Sequence, residues 1–169
     1  MKIQLFSLKD GLHEFRVEES AVDLGLPVKS FPHTIRSNIL VDKRGRDYYI
    51  KLRAETFGRF TCDRCLTIFE REIVGDSTVV FTQDRELVRG NVDESLRFLG
   101  PEDNEVDFAN DIRETVLLLL PMKQVCREEC KGLCPHCGVD LNVETCRCEE
   151  KAIDPRWEAL LAIKRSARS

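Results

Sequence analysis

The chain has 169 residues, of which 42% are hydrophobic and 33% are charged, and its formal net charge is −4. This length fits one domain of ordinary size with an appended module, and a globally acidic chain argues against generic nucleic-acid binding. Residues 1–10 lack the unbroken apolar core of a signal peptide, and no stretch approaches the roughly 18 apolar residues of a membrane span. We therefore expect a cytoplasmic protein that does not contact a membrane.

The first 82 residues predict an antiparallel sheet of five or six strands. Gly11, between the first two strands, predicts a hairpin. Residues 57–73 predict a strand, a turn that contains Cys62 and Cys65, and a second strand, so both thiols would lie at the tip of a hairpin. Apolar residues in alternation or in short runs predict the remaining strands over residues 2–8, 12–18, 34–41, 47–56 and 77–82.

A helix is predicted after an acidic connection. Residues 90–106 are acidic and include the breaker Gly100-Pro101, which predicts an exposed, mobile loop. Asp107 suits the N-cap of a helix that ends at Pro121. Apolar residues recur at helical spacing at Phe108, Ile112, Val116 and Leu119. Residues 116–120 are apolar on every side of the predicted helix, so we expect this end of the helix to be buried.

These elements predict an α+β protein in three parts. An antiparallel sheet packed by a helix occupies residues 1–121, and a cysteine-rich zinc-binding module occupies residues 122–150. A C-terminal helix with a basic tail occupies residues 151–169, because Asp154 suits an N-cap and Pro155 suits the first helical position.

The cysteines carry the strongest functional signal. Six of the eight lie within residues 126–148, and Cys62-x-x-Cys65 supplies the other two. Cys-x-x-Cys spacing lets two thiolates on a tight turn reach one ion, and tetrahedral zinc takes four such ligands. We predict zinc as the cofactor and all eight cysteines as its ligands: Cys62, Cys65, Cys126, Cys130, Cys134, Cys137, Cys146 and Cys148.

Spacing leaves two ways to divide eight thiols into two sites. In the preferred arrangement, one site contains Cys134, Cys137, Cys146 and Cys148, and the other joins Cys62 and Cys65 to Cys126 and Cys130. The i, i+4 spacing of Cys126 and Cys130, which can share a helical face, favours this arrangement. The alternative binds the four cysteines between residues 126 and 137 locally and pairs Cys62 and Cys65 with Cys146 and Cys148. His136 lies between two ligands, and we expect it to point outward.

Two other interpretations of the cysteines are weaker. Disulfides belong to oxidising compartments, and nothing at the start of the chain directs it there. Redox catalysis by Cys62-x-x-Cys65 lacks the βαβ pattern of a thioredoxin-like fold. No histidine has an evident nucleophile beside it, and eight structural ligands leave no position for a catalytic water. We therefore expect a protein that is not an enzyme.

Basic residues are concentrated in the early half of the chain. Residues 29–73 carry ten basic and six acidic side chains, a net charge of +4, whereas residues 74–120 carry four and eleven, a net charge of −7. Such a segment can contact phosphates, although an ordinary solvated sheet face is an equal alternative. Tyr49 and Phe60 could stack on bases. The predicted RNA contacts are Arg36, Lys43, Arg44, Arg46, Lys51, Arg53, Arg59 and Arg64. Lys123, Arg127, Lys131 and Arg147 could extend this patch.

The order of the motifs resembles one known family. The matching segments are residues 61–66, 106–108, 117–121, 126–138, 141–142, 146–149 and 153–156. Together they resemble the YceD-like family, the large ribosomal RNA subunit accumulation proteins of bacteria and plastids, over roughly residues 33–163. The resemblance implies a role in the accumulation or processing of large-subunit ribosomal RNA, and it implies no catalytic residue.

Three functional hypotheses follow from residues and resemblance together. The first is a zinc-stabilised factor in ribosome assembly that binds large-subunit ribosomal RNA or its precursor. The second is an adaptor whose acidic segment, residues 93–107, contacts a basic ribosomal protein or an RNA-processing enzyme. The third is an RNA nuclease or RNA-modifying enzyme.

Overall fold

The computed structural model describes residues 2–91, 93, 95–103 and 105–148. The predicted C-terminal helix and basic tail, residues 151–169, lie outside this part of the chain. No helix in the described part is long and apolar enough to cross a membrane.

The described part is an α+β fold built on one five-stranded sheet. Two short strands pair separately, namely β1 (Lys2–Ile3) and β7 (Val106–Asp107). The sheet contains, in spatial order, β2 (Gly11–Glu19), β3 (Ile35–Arg44), β4 (Asp47–Thr61), β5 (Ile68–Thr82) and β6 (Leu96–Phe98). All neighbours are antiparallel except β5 and β6. The helices are α1 (Arg85–Val88) and α2 (Ala109–Leu118), and Leu5–Ser7 forms a 3-10 turn.

Alternation along β4 determines which side of the sheet is buried. Tyr48, Ile50 and Leu52 are at most 1% exposed, whereas the odd-numbered residues between them point to solvent. Side chains of successive strand residues point to opposite faces, so this pattern gives one core face and one outer face. The predicted strand and its buried face are confirmed, and the strand continues beyond residue 56 to Thr61.

The predicted hairpin at the N-terminus is wrong. Residues 2–3 pair with β7, the chain then forms the 3-10 turn, and β2 pairs with β3. Ile3 and Leu5 are buried in the main core, at 4% and 0% exposure. Burial of these two side chains in the main core stabilises this arrangement of the first segment.

The strands on either side of Gly75 form one continuous element. We predicted separate strands ending at residue 73 and beginning at residue 77, whereas β5 runs unbroken from Ile68 to Thr82. The side chain of Leu119 occupies the space that a Cβ on Gly75 would need. Gly75 therefore permits close approach of another segment, which is a common role for glycine within a strand.

The core face of the sheet and one face of α2 contribute to the same buried cluster. Phe108, Ile112 and Val116 are fully buried with the inward residues of β3 and β4, and the Phe108 ring meets the Phe81 ring edge-on at 6.2 Å. The helix begins at Ala109, one residue later than expected, and Asp107 Oδ1 accepts a hydrogen bond from the Ala109 N–H at 3.0 Å.

The predicted burial of residues 116–120 is wrong at two positions. Leu118 is 85% exposed and Leu119 is 43% exposed, although Val116 is fully buried. Residues two apart are separated by about 200° around a helix, so Leu118 points away from the face that contains Val116.

The acidic connection is more ordered than its composition predicted. Residues 96–98 form β6, and Leu99 is only 1% exposed. The backbone at the end of β5 has hydrogen-bonding groups on its free side, and this segment satisfies some of them. The Leu99 N–H, for example, donates to the carbonyl of Thr82 at 2.8 Å.

Candidate metal centres

The structure brings the eight cysteines into two groups of four. The long-range cluster contains Cys62, Cys65, Cys126 and Cys130, and the local cluster contains Cys134, Cys137, Cys146 and Cys148. Within each cluster all four sulfurs lie within 4.8 Å of one another. This is the preferred of the two predicted arrangements. All eight thiols, which lie in the described part of the chain, are free of disulfides.

The sulfur separations match a tetrahedral metal site. In the long-range cluster the Sγ atoms of Cys62 and Cys130 are 3.8 Å apart, and those of Cys65 and Cys126 are 3.7 Å apart. In the local cluster Cys146 Sγ lies 3.3 Å from Cys134 Sγ and 3.7 Å from Cys137 Sγ. A tetrahedron with metal–sulfur bonds of about 2.3 Å has edges of about 3.8 Å.

The Cys-x-x-Cys turn that contains Cys62 and Cys65, called the first knuckle below, is the tip of the β4–β5 hairpin. The Cys62 N–H donates to the Thr67 carbonyl at 2.9 Å, and the Leu66 N–H donates to the Cys62 carbonyl at 2.9 Å. These two bonds close a tight turn that contains both cysteines. Leu66 adopts a φ of 61°, a left-handed conformation that is unfavourable for a residue with a side chain.

The Cys-x-x-Cys turn that contains Cys134 and Cys137, called the second knuckle, has the same two backbone hydrogen bonds as the first. The Cys134 N–H donates to the Val139 carbonyl at 2.8 Å, and the Gly138 N–H donates to the Cys134 carbonyl at 2.9 Å. Gly138 has a φ of 75° at the position that Leu66 occupies in the first knuckle. Glycine adopts this backbone conformation readily, so Gly138 permits a sharp turn beneath the sulfurs.

Hydrogen bonds to the first knuckle position the later half of the long-range cluster. The Asp63 N–H donates to the Gln124 carbonyl at 2.7 Å, and Asp63 Oδ2 accepts from the Gln124 N–H at 2.7 Å. Arg64 Nη1 donates to the carbonyls of Glu128 and Cys130 at 3.0 and 2.9 Å. The segment from Cys126 to Cys130 consists of bends and turns, so the helical face that we expected for this pair is wrong although the grouping is right.

Gly132 connects the two clusters. It has a φ of 76°, and a Cβ at this position would lie 2.9 Å from the Arg64 carbonyl oxygen. The next residue, Leu133, donates its N–H to that same oxygen at 2.9 Å. Asn142 completes the connection, because its Oδ1 accepts from the Lys131 N–H and its Nδ2 lies 3.5 Å from Cys130 Sγ. The family resemblance included residues 141–142, but it did not indicate these contacts of Asn142, which arise only from the folding of the local module.

Backbone amides favour the thiolate form of one cysteine in each cluster. Burial alone would raise the pKa of Cys62, but N–H groups of Cys126, Cys65 and Arg64 outweigh it and lower the pKa to about 6. The pKa of Cys134 is lowered to about 6 by the N–H groups of Cys137 and His136. Hydrogen bonds to an ionised sulfur stabilise its charge, which a metal ligand requires.

Two other thiols show the opposite shift. Burial, followed by the neighbouring thiols Cys130 and Cys65, raises the pKa of Cys126 to about 12. Neighbouring Cys146 and Cys137 raise the pKa of Cys148 to about 12. Four sulfurs this close cannot all carry negative charge without a cation among them, so ion binding would release these protons.

The two clusters differ in exposure. In the long-range cluster three thiols are buried and Cys126 is half-buried, whereas in the local cluster Cys134 alone is buried. His136 is exposed, and both four-membered ligand sets consist of thiols. Each set could therefore hold one metal ion with four thiol ligands.

The predicted RNA contacts are distributed over more than one surface. Lys43 Nζ donates to the Leu8 carbonyl at 2.6 Å, on the core side of the sheet. Arg46 lies in the turn between β3 and β4, and Arg64 is engaged by the long-range cluster. The remaining five lie on the outer face, namely Arg36, Arg44, Lys51, Arg53 and Arg59.

The outer face is one of mixed charge. Three of its arginines form ion pairs, with N–O distances of 2.6 Å for Arg44–Asp42, 2.9 Å for Arg53–Glu55 and 3.0 Å for Arg59–Glu70. Arg36 lines an open groove of about 610 Å³ on this face. Neither Arg36 nor Lys51 forms an ion pair with another described residue.

The two aromatic residues proposed for base stacking lie on opposite sides. Tyr49 is on the outer face, 44% exposed, and its ring lies beneath the Arg44 guanidinium at 5.4 Å. Phe60 packs against the main core, with its ring 6.2 Å from that of Phe31. Alternation with the outward residues of β4 directs the half-buried Phe60 inward, so the stacking role expected for it stays a prediction without support from this position.

Comparison with known proteins identifies relatives that match part of the chain. An uncharacterised protein of Mycobacterium tuberculosis is 46% identical over 59 residues, which are 35% of this chain and 28% of that protein. An uncharacterised protein of Mycobacterium leprae is 30% identical over 100 residues, which are 59% of this chain and 45% of that protein. The chain thus covers less than half the length of either relative. No solved structure matches the chain.

Two further comparisons carry a functional name. The chloroplastic large ribosomal RNA subunit accumulation protein YCED homolog 1 of Arabidopsis thaliana is 42% identical over 53 residues, 30% of this chain and 16% of that protein. The sequence profile described as large ribosomal RNA subunit accumulation protein YceD matches residues 50–164, which include all eight cysteines. The chain therefore belongs to the YceD family, which is implicated in large ribosomal RNA subunit accumulation.

Proposed function

We propose that this chain is a non-enzymatic, zinc-stabilised factor in large-subunit ribosomal RNA accumulation or processing and in ribosome assembly. It acts in the cytoplasm, where thiols stay reduced, and it binds the ribosomal RNA or its precursor. Family membership supports the ribosomal role. The observation that supports the zinc-stabilised, non-enzymatic part is the pair of four-thiol clusters. Exposed basic side chains support the RNA contact.

Zinc is the metal that best fits these clusters. Four thiolates at tetrahedral separations favour zinc among the common biological divalent ions, and a closed ligand set makes the ion structural. Purified protein should contain about two zinc ions per chain. Elemental analysis that returns no metal, together with disulfides detected by mass spectrometry, would overturn this part of the proposal.

Two groups of exposed basic residues are available for RNA. On the outer face of the sheet, Arg36 and Lys51 lie with Tyr49 and do not form ion pairs with other described residues. Around the metal clusters the exposed basic residues are Lys123, Arg127, Lys131 and Arg147. None of these residues forms an ion pair within the described part of the chain, so they can neutralise phosphates without first breaking one. They are therefore better contacts than Arg44, Arg53 and Arg59.

Neutralisation of the outer face tests the RNA contact. A variant with Arg36→Gln and Lys51→Gln should bind single-stranded segments of large-subunit ribosomal RNA more weakly, and the salt slope should flatten by roughly 0.7 per lost contact. The matched control is Lys9→Gln with Lys29→Gln, which removes the same charge at exposed positions elsewhere. Binding is measured by fluorescence anisotropy over a range of salt concentrations.

The binding of these variants shows whether the outer face of the sheet or the group of basic residues around the clusters contacts the RNA. Equal loss in both variants would mean that only net charge matters and would contradict a defined contact. No loss in either variant would remove the outer face from the proposal and leave the four basic residues around the clusters. Cleavage or modification of the RNA by purified protein would instead support an enzyme.

A further inference from the structure

The described structure leaves most of one sheet edge open. β4 pairs with β5 along its whole length, from residue 68 to residue 82. On the other side, β6 pairs with β5 only at residues 80–82. Backbone N–H and C=O groups on an open edge form a template for another strand.

The hydrogen bonds beside β6 show which residues face the open side. The Val80 N–H donates to the Ser95 carbonyl at 2.7 Å, and the Thr82 carbonyl accepts from the Leu99 N–H at 2.8 Å. Even-numbered residues of β5 therefore direct their backbone groups away from β4. In residues 72–78 those backbone groups have no hydrogen-bond partner among the described residues.

A groove of about 270 Å³ lies between this edge and α2. Leu118 and Leu119, the two exposed leucines at the end of the helix, line its apolar part. Asp76 and Glu114 are exposed and line its polar part. Exposed leucines beside unpaired backbone are typical of a binding surface and not of an ordinary solvated edge.

The charge of this region is negative. Arg97 is the one cation among the described residues that line the groove, and its guanidinium is 2.8 Å from the carboxylate of buried Asp111. That pair is neutral, and Asp76 shares its charge with Arg53 at 3.3 Å, so Glu114 and nearby Glu72 determine the local charge. A phosphate backbone would be repelled here, whereas a cationic chain would be attracted.

We propose that the β5 edge, residues 72–78 with the adjoining groove, binds an extended segment of a partner protein that contains lysine or arginine. The segment adds to the sheet as a sixth strand through backbone hydrogen bonds to β5. Its side chains alternate, with apolar ones against Leu118 and Leu119 and cationic ones beside the carboxylates. This protein-binding surface goes beyond the RNA-binding function proposed above and does not depend on it.

A pair of synthetic peptides tests the added strand without altering the protein. The first is a fluorescein-labelled peptide that alternates lysine and valine, and the second is the same peptide with alternate backbone nitrogens methylated. Methylation removes the N–H groups of one edge and keeps charge and side chains. The unmodified peptide should bind at least about tenfold more tightly in anisotropy titrations with the zinc-loaded full chain. Equal binding of both peptides, or binding of neither, would overturn the proposal.

Charge reversal locates the binding surface. Asp76→Lys with Glu114→Lys should weaken binding of the unmodified peptide by about tenfold. The matched control is Glu14→Lys with Glu18→Lys on β2, the other edge strand of the described sheet, and it should bind as the wild type does. Loss in the β2 variant alone, or a chain dimer in sedimentation that the β5 variant abolishes and the peptide does not displace, would also overturn the proposal. Circular dichroism confirms that each variant is folded.

Discussion

The two cysteine clusters use the same chemistry for different structural purposes. Both have four thiolates and a knuckle with the same two backbone hydrogen bonds. The sulfur contacts of the long-range cluster join residues 61 and 68 positions apart, whereas those of the local cluster join residues 9 and 12 apart. Ligand identity therefore does not determine what a site stabilises, because that depends on which segments of chain the ligands join.

The largest expected contrast comes from removing one ligand of each cluster. Cys65→Ser should destabilise the whole described fold by a few kcal/mol or more, because metal binding energy at a structural site is also folding energy. Cys137→Ser, at the equivalent position of the second knuckle, should loosen residues 131–148 and leave the sheet protected. Hydrogen exchange by mass spectrometry measures both effects.

The same hydrogen-exchange experiment can show that the two clusters do not differ in what they stabilise. If Cys65→Ser changes protection only near the β4–β5 hairpin tip, then the long-range cluster does not stabilise the contact between the early and late halves. Zinc content measured on the same samples shows whether one ion or both are lost.

Acid should release metal from the two clusters at different pH values. The pKa values of Cys62 and Cys134 are lowered to about 6 from an ordinary value of 9.0. A lowered pKa stabilises the fold fully above the ordinary value, and that stabilisation is lost as the pH falls through 6. Protons reach the exposed local cluster more easily, so it should release its ion first. A colorimetric zinc indicator followed from pH 8 to pH 4 should show zinc release in two steps. Release in a single step would contradict a difference between the two clusters.

The two glycines beside the knuckles should differ in their tolerance of a side chain. Gly138→Ala meets open space and should destabilise the protein by about 1 kcal/mol through its positive φ alone. Gly132→Ala has a similar φ and also forces its Cβ against the Arg64 carbonyl, so it should destabilise the protein more. Thermal unfolding of zinc-loaded protein measures both, and equal values would show that the contact between the clusters relaxes freely.

The smallest effect is expected at Leu66. Leu66→Gly removes a left-handed conformation that is unfavourable by roughly 1 kcal/mol, and the gain is partly offset by the greater freedom of glycine in the unfolded chain. Leu66 is 63% exposed, so little burial is lost. The variant should be more stable by a few tenths of a kcal/mol in denaturant titrations. A clear loss of stability would show that the leucine side chain makes a contact that outweighs its strain.

The sequence by itself determined the local features of this protein. Alternation along β4 predicted its buried face, because neighbouring side chains in a strand must point to opposite sides. Cys-x-x-Cys spacing predicted the tight turn of both knuckles, since such a turn is a property of a few adjacent residues. The preferred grouping of the thiols also agrees with the structure, although the helix expected for Cys126 and Cys130 does not form.

Contacts between distant segments were decided only by the tertiary structure. The pairing of β1 with β7, the exposure of Leu118 and the ion pairs of Arg53 and Arg59 each depend on which segment lies beside another. Composition suggested a basic sheet face, but register places Glu55, Glu70 and Asp76 among those arginines. The physical reason is that burial and charge pairing depend on three-dimensional neighbours, whereas periodicity and spacing report only neighbours along the chain.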